Sequence, residues 1–384
     1  MFYRRVGDVP PKRHTVHRES DGSRLREELV GEEGFSGDSS LLYHRKSPSA
    51  LLSVAAAAEN RPALDPLNPA VPLHLRPRGL AEGDDPVLDR RVLLGNEDVR
   101  VCVVAARTSS VLHRNAVGDE LVYLQGGTAV LESSFGTLAV GPGDYVLVPA
   151  GVTHRWLVTG GPLELLVLES SGHVSPPSRY LSARGQFLER APYCERDIRV
   201  PDGPLLAEDD GPVDVFVRTA GGLSRHTYAH HPFDVIGWDG CVYPWALSIH
   251  EFAPVVGSLH QPPPVHQTFE GPRFVVCSFV PRPFDFHPDA VKVPYHHANV
   301  DSDEVLFYSA GDFMSRAGSA IGVGSLTMHP AGFVHGPQPG SFERSLDATT
   351  TEEVAVMLDT FRPLRVAGDL GQILDPDYLT SWIE

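Results

Sequence analysis

One spaced pattern of histidine, asparagine and glutamate occurs twice in this 384-residue chain, about half a chain apart. In each copy an asparagine follows the histidine after two residues, a glutamate after seven and a glycine after fourteen. The two copies are His113, Asn115, Glu120 and Gly127, and His297, Asn299, Glu304 and Gly311. A second box follows each copy, with a Pro-Ala-Gly turn at 149–151 before His154 and at 330–332 before His335. The repeat predicts two similar structural units.

Strand geometry explains the spacing within each copy. Side chains two residues apart on a strand share a face, so His297 and Asn299 can both point into a small barrel. A turn then brings Glu304 back alongside them, and the Pro-Ala-Gly turn starts the segment that carries His335. This double box resembles the motif of the cupin β-barrel. We therefore predict an all-β fold, a double-stranded β-helix duplicated as a bicupin, with an N-terminal extension and few short helices.

The ligand types indicate a metal. Two imidazoles and one carboxylate on one side of an ion form the facial triad of non-heme Fe(II) oxygenases. An amide is a poor ligand, which leaves out Asn299 and reduces the second-barrel set to His297, Glu304 and His335. The first barrel keeps its own complete set, so a second metal site is an alternative there. That set is His113, Glu120 and His154.

Composition excludes several classes of partner. The formal net charge of -17 argues against binding to nucleic acid or to an anionic membrane surface. The four cysteines have no CxxC spacing, and the N-terminus lacks the apolar core of a signal peptide. No stretch reaches the apolar length of a membrane span. We expect a soluble cytoplasmic protein.

The chain contains 36 glycines and 34 prolines, and its apolar runs are short and β-branched. Short helices are expected only at 26–30 and 377–382. We assign residues 1–95 to an N-terminal extension, 96–170 to the first cupin barrel, 171–235 to a connecting segment, 236–345 to the second, catalytic barrel, and 346–384 to a tail with one strand and one helix.

The sequence also resembles one particular family. The stretches 233–238 (Phe-Asp-Val-Ile-Gly-Trp), 260–264 (His-Gln-Pro-Pro-Pro), 295–299 (Tyr-His-His-Ala-Asn) and 335–337 (His-Gly-Pro) look like homogentisate 1,2-dioxygenase, the Fe(II) enzyme that opens the ring of 2,5-dihydroxyphenylacetate. Residues 10–14 and 351–363 resemble a bacterial branch of that family. The resemblance places iron on the second-barrel set already described. It also places an acid/base histidine on His260, pocket residues on His329 and Tyr295, and a substrate-contacting tyrosine on Phe313, which cannot donate a hydrogen bond.

The resemblance implies cleavage of homogentisate by O2 to maleylacetoacetate, in tyrosine and phenylalanine catabolism. His266 competes with His260 for the acid/base role, since histidine titrates near neutral pH. A small aromatic acid substrate needs a basic receptor, for which Arg282 and Lys292 are candidates. Apolar segments in the first 95 residues need a surface to cover, which predicts a homo-oligomer, a trimer or a dimer of trimers as in the family.

Two other functions remain open. A related iron cupin dioxygenase could act on another hydroquinone or phenol, an alternative that Phe313 supports. A non-oxygenase cupin, either an isomerase or a binding protein, would use the same barrel without O2.

Overall fold

A computed structural model describes residues 1–59, 61–77, 81–207, 211–293, 295–316 and 319–383. Strands dominate throughout these ranges, which confirms the all-β prediction. The first fourteen strands are β1 (Arg4–Gly7), β2 (Arg26–Gly31), β3 (Ser39–His44), β4 (Leu51–Ala56), β5 (Leu64–Pro66), β6 (Leu73–Leu75), β7 (Glu82–Gly83), β8 (Arg91–Gly95), β9 (Val99–Ala106), β10 (Leu112–Asn115), β11 (Glu120–Ser133), β12 (Gly136–Val140), β13 (Asp144–Val148) and β14 (His154–Ser170).

The remaining strands are β15 (Ile198–Arg199), β16 (Val213–Thr219), β17 (Gly222–Tyr228), β18 (Val235–Gly240), β19 (Trp245–Ser248), β20 (Gln267–Gly271), β21 (Phe274–Phe279), β22 (Arg282–Pro283), β23 (Asp303–Ala310), β24 (Leu326–His329), β25 (Thr350–Thr351), β26 (Val354–Thr360) and β27 (Arg365–Ala367). One α-helix, α1 (Ser341–Ser345), accompanies 3-10 turns at Glu33–Phe35, Ser178–Tyr180, Ile249–Glu251, Pro263–His266, Met314–Arg316, Leu370–Gln372 and Tyr378–Thr380.

The first barrel is built around the two longest strands. β11 and β14 pair antiparallel over most of their length, β13 pairs on the other side of β11, and β9 pairs with β14. Their side chains form the largest apolar core, in which Trp156 and Tyr145 are almost completely buried. Burial on this scale supplies the main driving force for folding.

The second barrel is a six-stranded sheet with the order β20-β21-β26-β23-β24-β6. Its central strand β26 comes from the tail, and its edge strand β6 comes from the N-terminal extension. Chain segments that are far apart in sequence therefore complete the sheet that carries Glu304. Both ends of the protein contribute directly to the second barrel.

The repeated glycine has a left-handed backbone conformation in both barrels, inside β11 at Gly127 and directly after β23 at Gly311. Gly127 and Gly311 have φ angles of +77° and +95°, in the left-handed region that favours glycine. A Cβ on Gly311 would lie 2.0 Å from the carbonyl oxygen of Glu352, and one on Gly127 would lie 2.3 Å from that of Pro162. The motif therefore requires glycine at this position for two reasons, conformation and close approach.

The N-terminal strands β1, β2 and β3 form a four-stranded sheet with β18. The predicted helix at 26–30 is wrong, because these residues form β2 and pair with the buried strand β3. Pairing with β3 outweighs the helical propensity of the Arg-Glu-Glu-Leu sequence. The helix predicted at 377–382 is reduced to the single turn Tyr378–Thr380.

A buried histidine links three segments of this sheet. His44 is 3% exposed, and its Nδ1 lies 2.6 Å from an Asp234 carboxylate oxygen while its Nε2 lies 2.8 Å from one of Glu28. Burial would lower the pKa of His44, but the hydrogen bonds to both carboxylates outweigh it and raise the pKa to about 9. The imidazolium thus holds β2, β3 and the segment before β18 together.

Within the described ranges, none of the helices has the length and hydrophobicity that crossing a bilayer requires.

Candidate metal centre and cavity

The two boxes place two histidines opposite each other in each barrel. His113 on β10 pairs in register with His154 on β14. In the second barrel, His297 and His335 form an isolated bridge in which each backbone N–H donates to the other's carbonyl oxygen at 2.8 Å. Neighbouring residues directly across such a pair lie close together. The sequence spacing therefore produces the same local geometry twice.

The predicted ligands of the second barrel converge. Glu304 near the start of β23 lies with one carboxylate oxygen 3.4 Å from His297 Nε2 and the other 3.2 Å from His335 Nε2. Donor atoms of all three residues lie within 4.8 Å of one another. His335 Nδ1–H donates to the carbonyl oxygen of Phe333 at 3.0 Å, which leaves Nε2 as the free lone pair facing the site. The arrangement fits a transition-metal ion.

The charge on Glu304 also fits a metal. Its side chain is 6% exposed, and burial alone would raise its pKa. The contacts with the imidazoles of His297, His329 and His335 outweigh burial and hold the pKa of Glu304 well below its usual value. In the described part of the chain, the ion-pair partners of Glu304 are histidines, with no lysine or arginine among them. The carboxylate is therefore ionised and available to a cation.

His329 contacts two of the three candidate ligands, Glu304 and His335. It ends β24 opposite Glu304, and its ring stacks on that of His335 with centroids 4.0 Å apart. His329 Nδ1 lies 3.1 Å from a Glu304 oxygen, and its Nε2 lies 2.8 Å from the hydroxyl of Tyr378. Burial lowers the pKa of His329 to about 4, so the ring is neutral and accepts a hydrogen bond from Tyr378. Sequence reasoning placed His329 near the site but missed Tyr378, which arrives from the tail.

A cavity of about 240 Å³ lies beside the triad, and His297 and Glu304 are among the residues that line it. His260 and Tyr295 lie on its lining, with His260 Nε2 3.0 Å from the Tyr295 hydroxyl. The Tyr295 ring in turn lies 5.9 Å from that of His297, centroid to centroid. The structure thus brings the predicted acid/base histidine and pocket tyrosine together beside a ligand.

The two remaining predicted pocket residues are buried. His266 lines the same cavity and packs on Phe279, and burial, with the nearby positive charge of Arg282, lowers its pKa to about 3. Phe313 does not line the cavity as described. It lies behind a lining residue, Tyr308, with ring centroids 5.0 Å apart.

Both residues predicted to receive the substrate carboxylate line the cavity, but they have different partners. Arg282 is already paired with Glu353, with 2.9 Å between NH2 and the carboxylate. Lys292 donates to the backbone carbonyl of Asp285 at 2.6 Å. The charge of Arg282 is therefore compensated within the chain.

A third basic residue, Arg316, was not identified from the sequence, and no motif surrounds it. Its side chain is buried and lines the cavity. Nε donates to the hydroxyl of Tyr308 at 3.0 Å, and NH1 donates to the carbonyl oxygen of Gly336. Gly336 directly follows His335, so Arg316 lies near the triad.

In the first barrel, the glutamate of the motif, Glu120, is paired with an arginine. Arg90 NH2 lies 2.9 Å from a Glu120 carboxylate oxygen, and both side chains are buried. His113 Nε2 lies 3.4 Å from the other oxygen. Burial lowers the pKa of His154 to about 4. Of the described residues, only the second-barrel triad brings its donor atoms within 4.8 Å of one another, so the set in the first barrel is not brought together as a metal site.

Fold and site together define a duplicated cupin with one convergent two-histidine, one-carboxylate centre. Comparison with known proteins then identifies the family. The family model of the homogentisate 1,2-dioxygenase N-terminal region matches residues 98–249. A provisionally named dioxygenase of Saccharolobus solfataricus is 38% identical over 388 aligned positions, covering 100% of this chain and 99% of that protein. The chain belongs to the homogentisate 1,2-dioxygenase family.

More distant relatives are named for the reaction itself. The homogentisate 1,2-dioxygenases of Bradyrhizobium diazoefficiens and Rhodopseudomonas palustris are 26% and 27% identical, over 70% of this chain. The match spans 62% of the length of those enzymes. A solved cupin barrel protein of Leptotrichia buccalis covers 78% of this chain at 10% identity with a TM-score of 0.34, a likeness too low to support a conclusion.

Proposed function

We propose that this protein is an Fe(II)-dependent, extradiol-type ring-cleaving dioxygenase that opens homogentisate with O2 to maleylacetoacetate in tyrosine and phenylalanine catabolism. One observation carries the proposal. His297, Glu304 and His335 converge at a cavity, and Glu304 has no arginine or lysine partner in the described ranges. Membership of the family supports the reaction class.

Each group has a defined role in this proposal. Fe(II) held by the triad would supply open coordination positions for a phenolate and for O2. Burial lowers the pKa of His260, so its ring is neutral near pH 7 and can accept the phenol proton. Tyr295 positions that ring through its hydroxyl. Both oxygen atoms of O2 remain in the ring-opened acid.

A second substrate is favoured by one observation. By the resemblance, Phe313 stands where the family has a substrate-contacting tyrosine, and here it packs behind Tyr308 and offers the substrate no hydrogen bond. Another hydroquinone or phenol would then be the substrate of the same chemistry. An isomerase or a binding protein is the third class of function. No contact among the described cavity residues favours it specifically.

Oxygen uptake tests these functions directly. Protein prepared without air and loaded with Fe(II) is mixed with homogentisate and with a panel of hydroquinones and phenols. We expect uptake of one O2 for each homogentisate consumed. Faster uptake with another phenol would favour the second substrate, and metal binding without uptake from any of them would favour the third class.

Metal analysis of two variants tests the ligand set. His335→Ala should lose both the metal and activity, because it removes one of three donors. His296→Ala is the matched control, since His296 is an exposed neighbour of His297 outside the triad. Full iron occupancy in His335→Ala would remove the assignment.

We also propose a homo-oligomer and a cytoplasmic location. Leu51, Leu52 and Val54 on β4 are 43%, 59% and 55% exposed, and in the described ranges β4 pairs only with β17, so one edge is open. A second copy of the chain covering this edge would bury these side chains. A monomer in light scattering would remove the assembly proposal. All four cysteines are free thiols, which suits a reducing compartment.

A further inference from the structure

Arg316 differs from the other fully buried arginines in the described ranges. Arg90 pairs with Glu120 and Glu169, and Arg218 pairs with Glu59. Arg316 is 5% exposed and has no carboxylate partner among the described residues. An unpaired buried charge is costly, so such a group normally has a counter-ion. The described residues supply no ion-pair partner for Arg316.

The donors of Arg316 are only partly used. A guanidinium has five N–H donors. Nε donates to the Tyr308 hydroxyl and NH1 to the Gly336 carbonyl, and NH2 has no hydrogen-bond partner in the described ranges. These two contacts fix the plane of the guanidinium against rigid parts of the barrel. A fixed guanidinium with free donors is well suited to bind a carboxylate.

The position of Arg316 relates it to the candidate centre. Tyr308 lies four residues after Glu304 on β23, and side chains four apart on a strand share a face. Gly336 follows His335 directly. Arg316 lines the same cavity as His297 and Glu304, and its position is set by the strand that carries Glu304 and the loop that follows His335.

We propose that Arg316 receives the carboxylate of the substrate and selects aromatic acids over neutral phenols. The inference rests on the proposed function and adds to it the residue that determines specificity. Arg282 is a weaker receptor because Glu353 already compensates its charge. Lys292 is a flexible point charge engaged with a backbone carbonyl, and it has no fixed plane.

Binding without turnover tests the proposal. Protein loaded with Zn(II), which cannot activate O2, is titrated calorimetrically with 2,5-dihydroxyphenylacetate and with its neutral methyl ester. Wild type should bind the acid at least about 10-fold more tightly than the ester. Arg316→Gln should weaken binding of the acid by roughly 10- to 100-fold, the size expected for losing charge-assisted hydrogen bonds, and should change binding of the ester by less than about 2-fold.

Lys292→Gln is the matched control, and it should change the preference for the acid by less than about 3-fold. Loss of the preference in Lys292→Gln, with its retention in Arg316→Gln, would assign the receptor to lysine and overturn the proposal. If Arg316→Gln weakened the binding of acid and ester equally, Arg316 would only stabilise the loop at Gly336 and the proposal would be overturned. If Arg316→Gln does not fold, equal affinity of wild type for acid and ester overturns the proposal by itself.

The outcome is separable from that of the proposed function. A wild-type protein that takes up no O2 with homogentisate can still be tested with phenylacetate and phenylacetamide. An Arg316-dependent preference for phenylacetate would then support the receptor and reject the ring-opening substrate. No such preference would reject the receptor, whatever phenol is oxidised.

Discussion

Replacing Arg90 with methionine should convert the first barrel from a closed site into a metal-dependent one. Arg90 is buried and forms ion pairs with Glu120 at 2.9 Å and with Glu169 at 3.2 Å. Methionine fills similar space without charge. Glu169 keeps Arg61 as a partner in the variant, whereas among the described residues Glu120 keeps a hydrogen bond from Asn115 and a 3.4 Å contact with His113. The variant therefore leaves one fully buried carboxylate without a permanent cation.

Breaking a buried ion pair by removing one partner costs about 3–5 kcal/mol, a large part of the free energy of unfolding of a typical domain. A divalent cation bound by His113, Glu120 and His154 should restore about 2.7 kcal/mol at a concentration 100 times its Kd. We would measure urea unfolding with and without added Zn(II), and metal content per chain, which should rise from one to two.

Arg91→Met is the control for this experiment. Arg91 is the sequence neighbour of Arg90 but forms a partly exposed pair with Asp369, worth at most about 1 kcal/mol. The view that the guanidinium takes the place of a metal would be refuted if Arg90→Met were as stable as wild type, gained no stability from Zn(II) and bound one metal per chain. Two metals in wild type would refute it equally.

Three further predictions concern a pH effect, the tail and the acid/base group. The pKa of His44 is raised from 6.5 to about 9, so the stability that its charged form contributes is present below pH 6.5 and is lost as the pH rises through 9. His44→Gln should therefore lower the free energy of unfolding by up to about 3 kcal/mol at pH 6 and by little at pH 9.5, measured by urea unfolding. Tyr378→Phe leaves His329 Nε2 without its donor and should weaken metal binding roughly 10- to 100-fold in chelator competition, whereas unchanged affinity would make Tyr378 a packing residue only. His260→Ala should keep the metal and lower turnover roughly 100-fold. His266→Ala should do less, because a pKa of about 3 makes that ring too weak a base to take the phenol proton, and the reverse order would move the role to His266.

Local spacing predicted the parts of the site that are built locally. The interval between His297 and Glu304 spans one turn, and the Pro-Ala-Gly turn sets the segment of His335 at a fixed distance from the preceding strand. Such short-range features determine which side chains share a face, because strand alternation has a period of two. The same reasoning gave the convergence of all three donors and the proximity of His329.

Residues that reach the site over long distances could not be predicted in this way. Arg90 meets Glu120 from the segment that precedes β8, Tyr378 comes from the tail, and Arg316 follows β23 after a loop. The one sequence feature that marks Arg90 is the pair of arginines, Arg90 and Arg91, directly before the apolar residues of β8. The same limit explains the error at 26–30, where helical propensity was outweighed by pairing with β3, which no local pattern reveals.

The comparison of the two barrels shows what a complete ligand set means. Both sets contain two histidines and one glutamate at the same spacing, and in both the histidines lie opposite each other. The two barrels differ in how closely the donor atoms converge, and also in the group that compensates the glutamate. A guanidinium stays charged at every accessible pH, so Arg90 competes with any metal for Glu120 permanently. The imidazoles around Glu304 do not compete in this way, because an imidazole can itself be a metal ligand. We therefore expect the identity of the counter-ion, which lies outside the motif, to decide whether the motif can hold a metal.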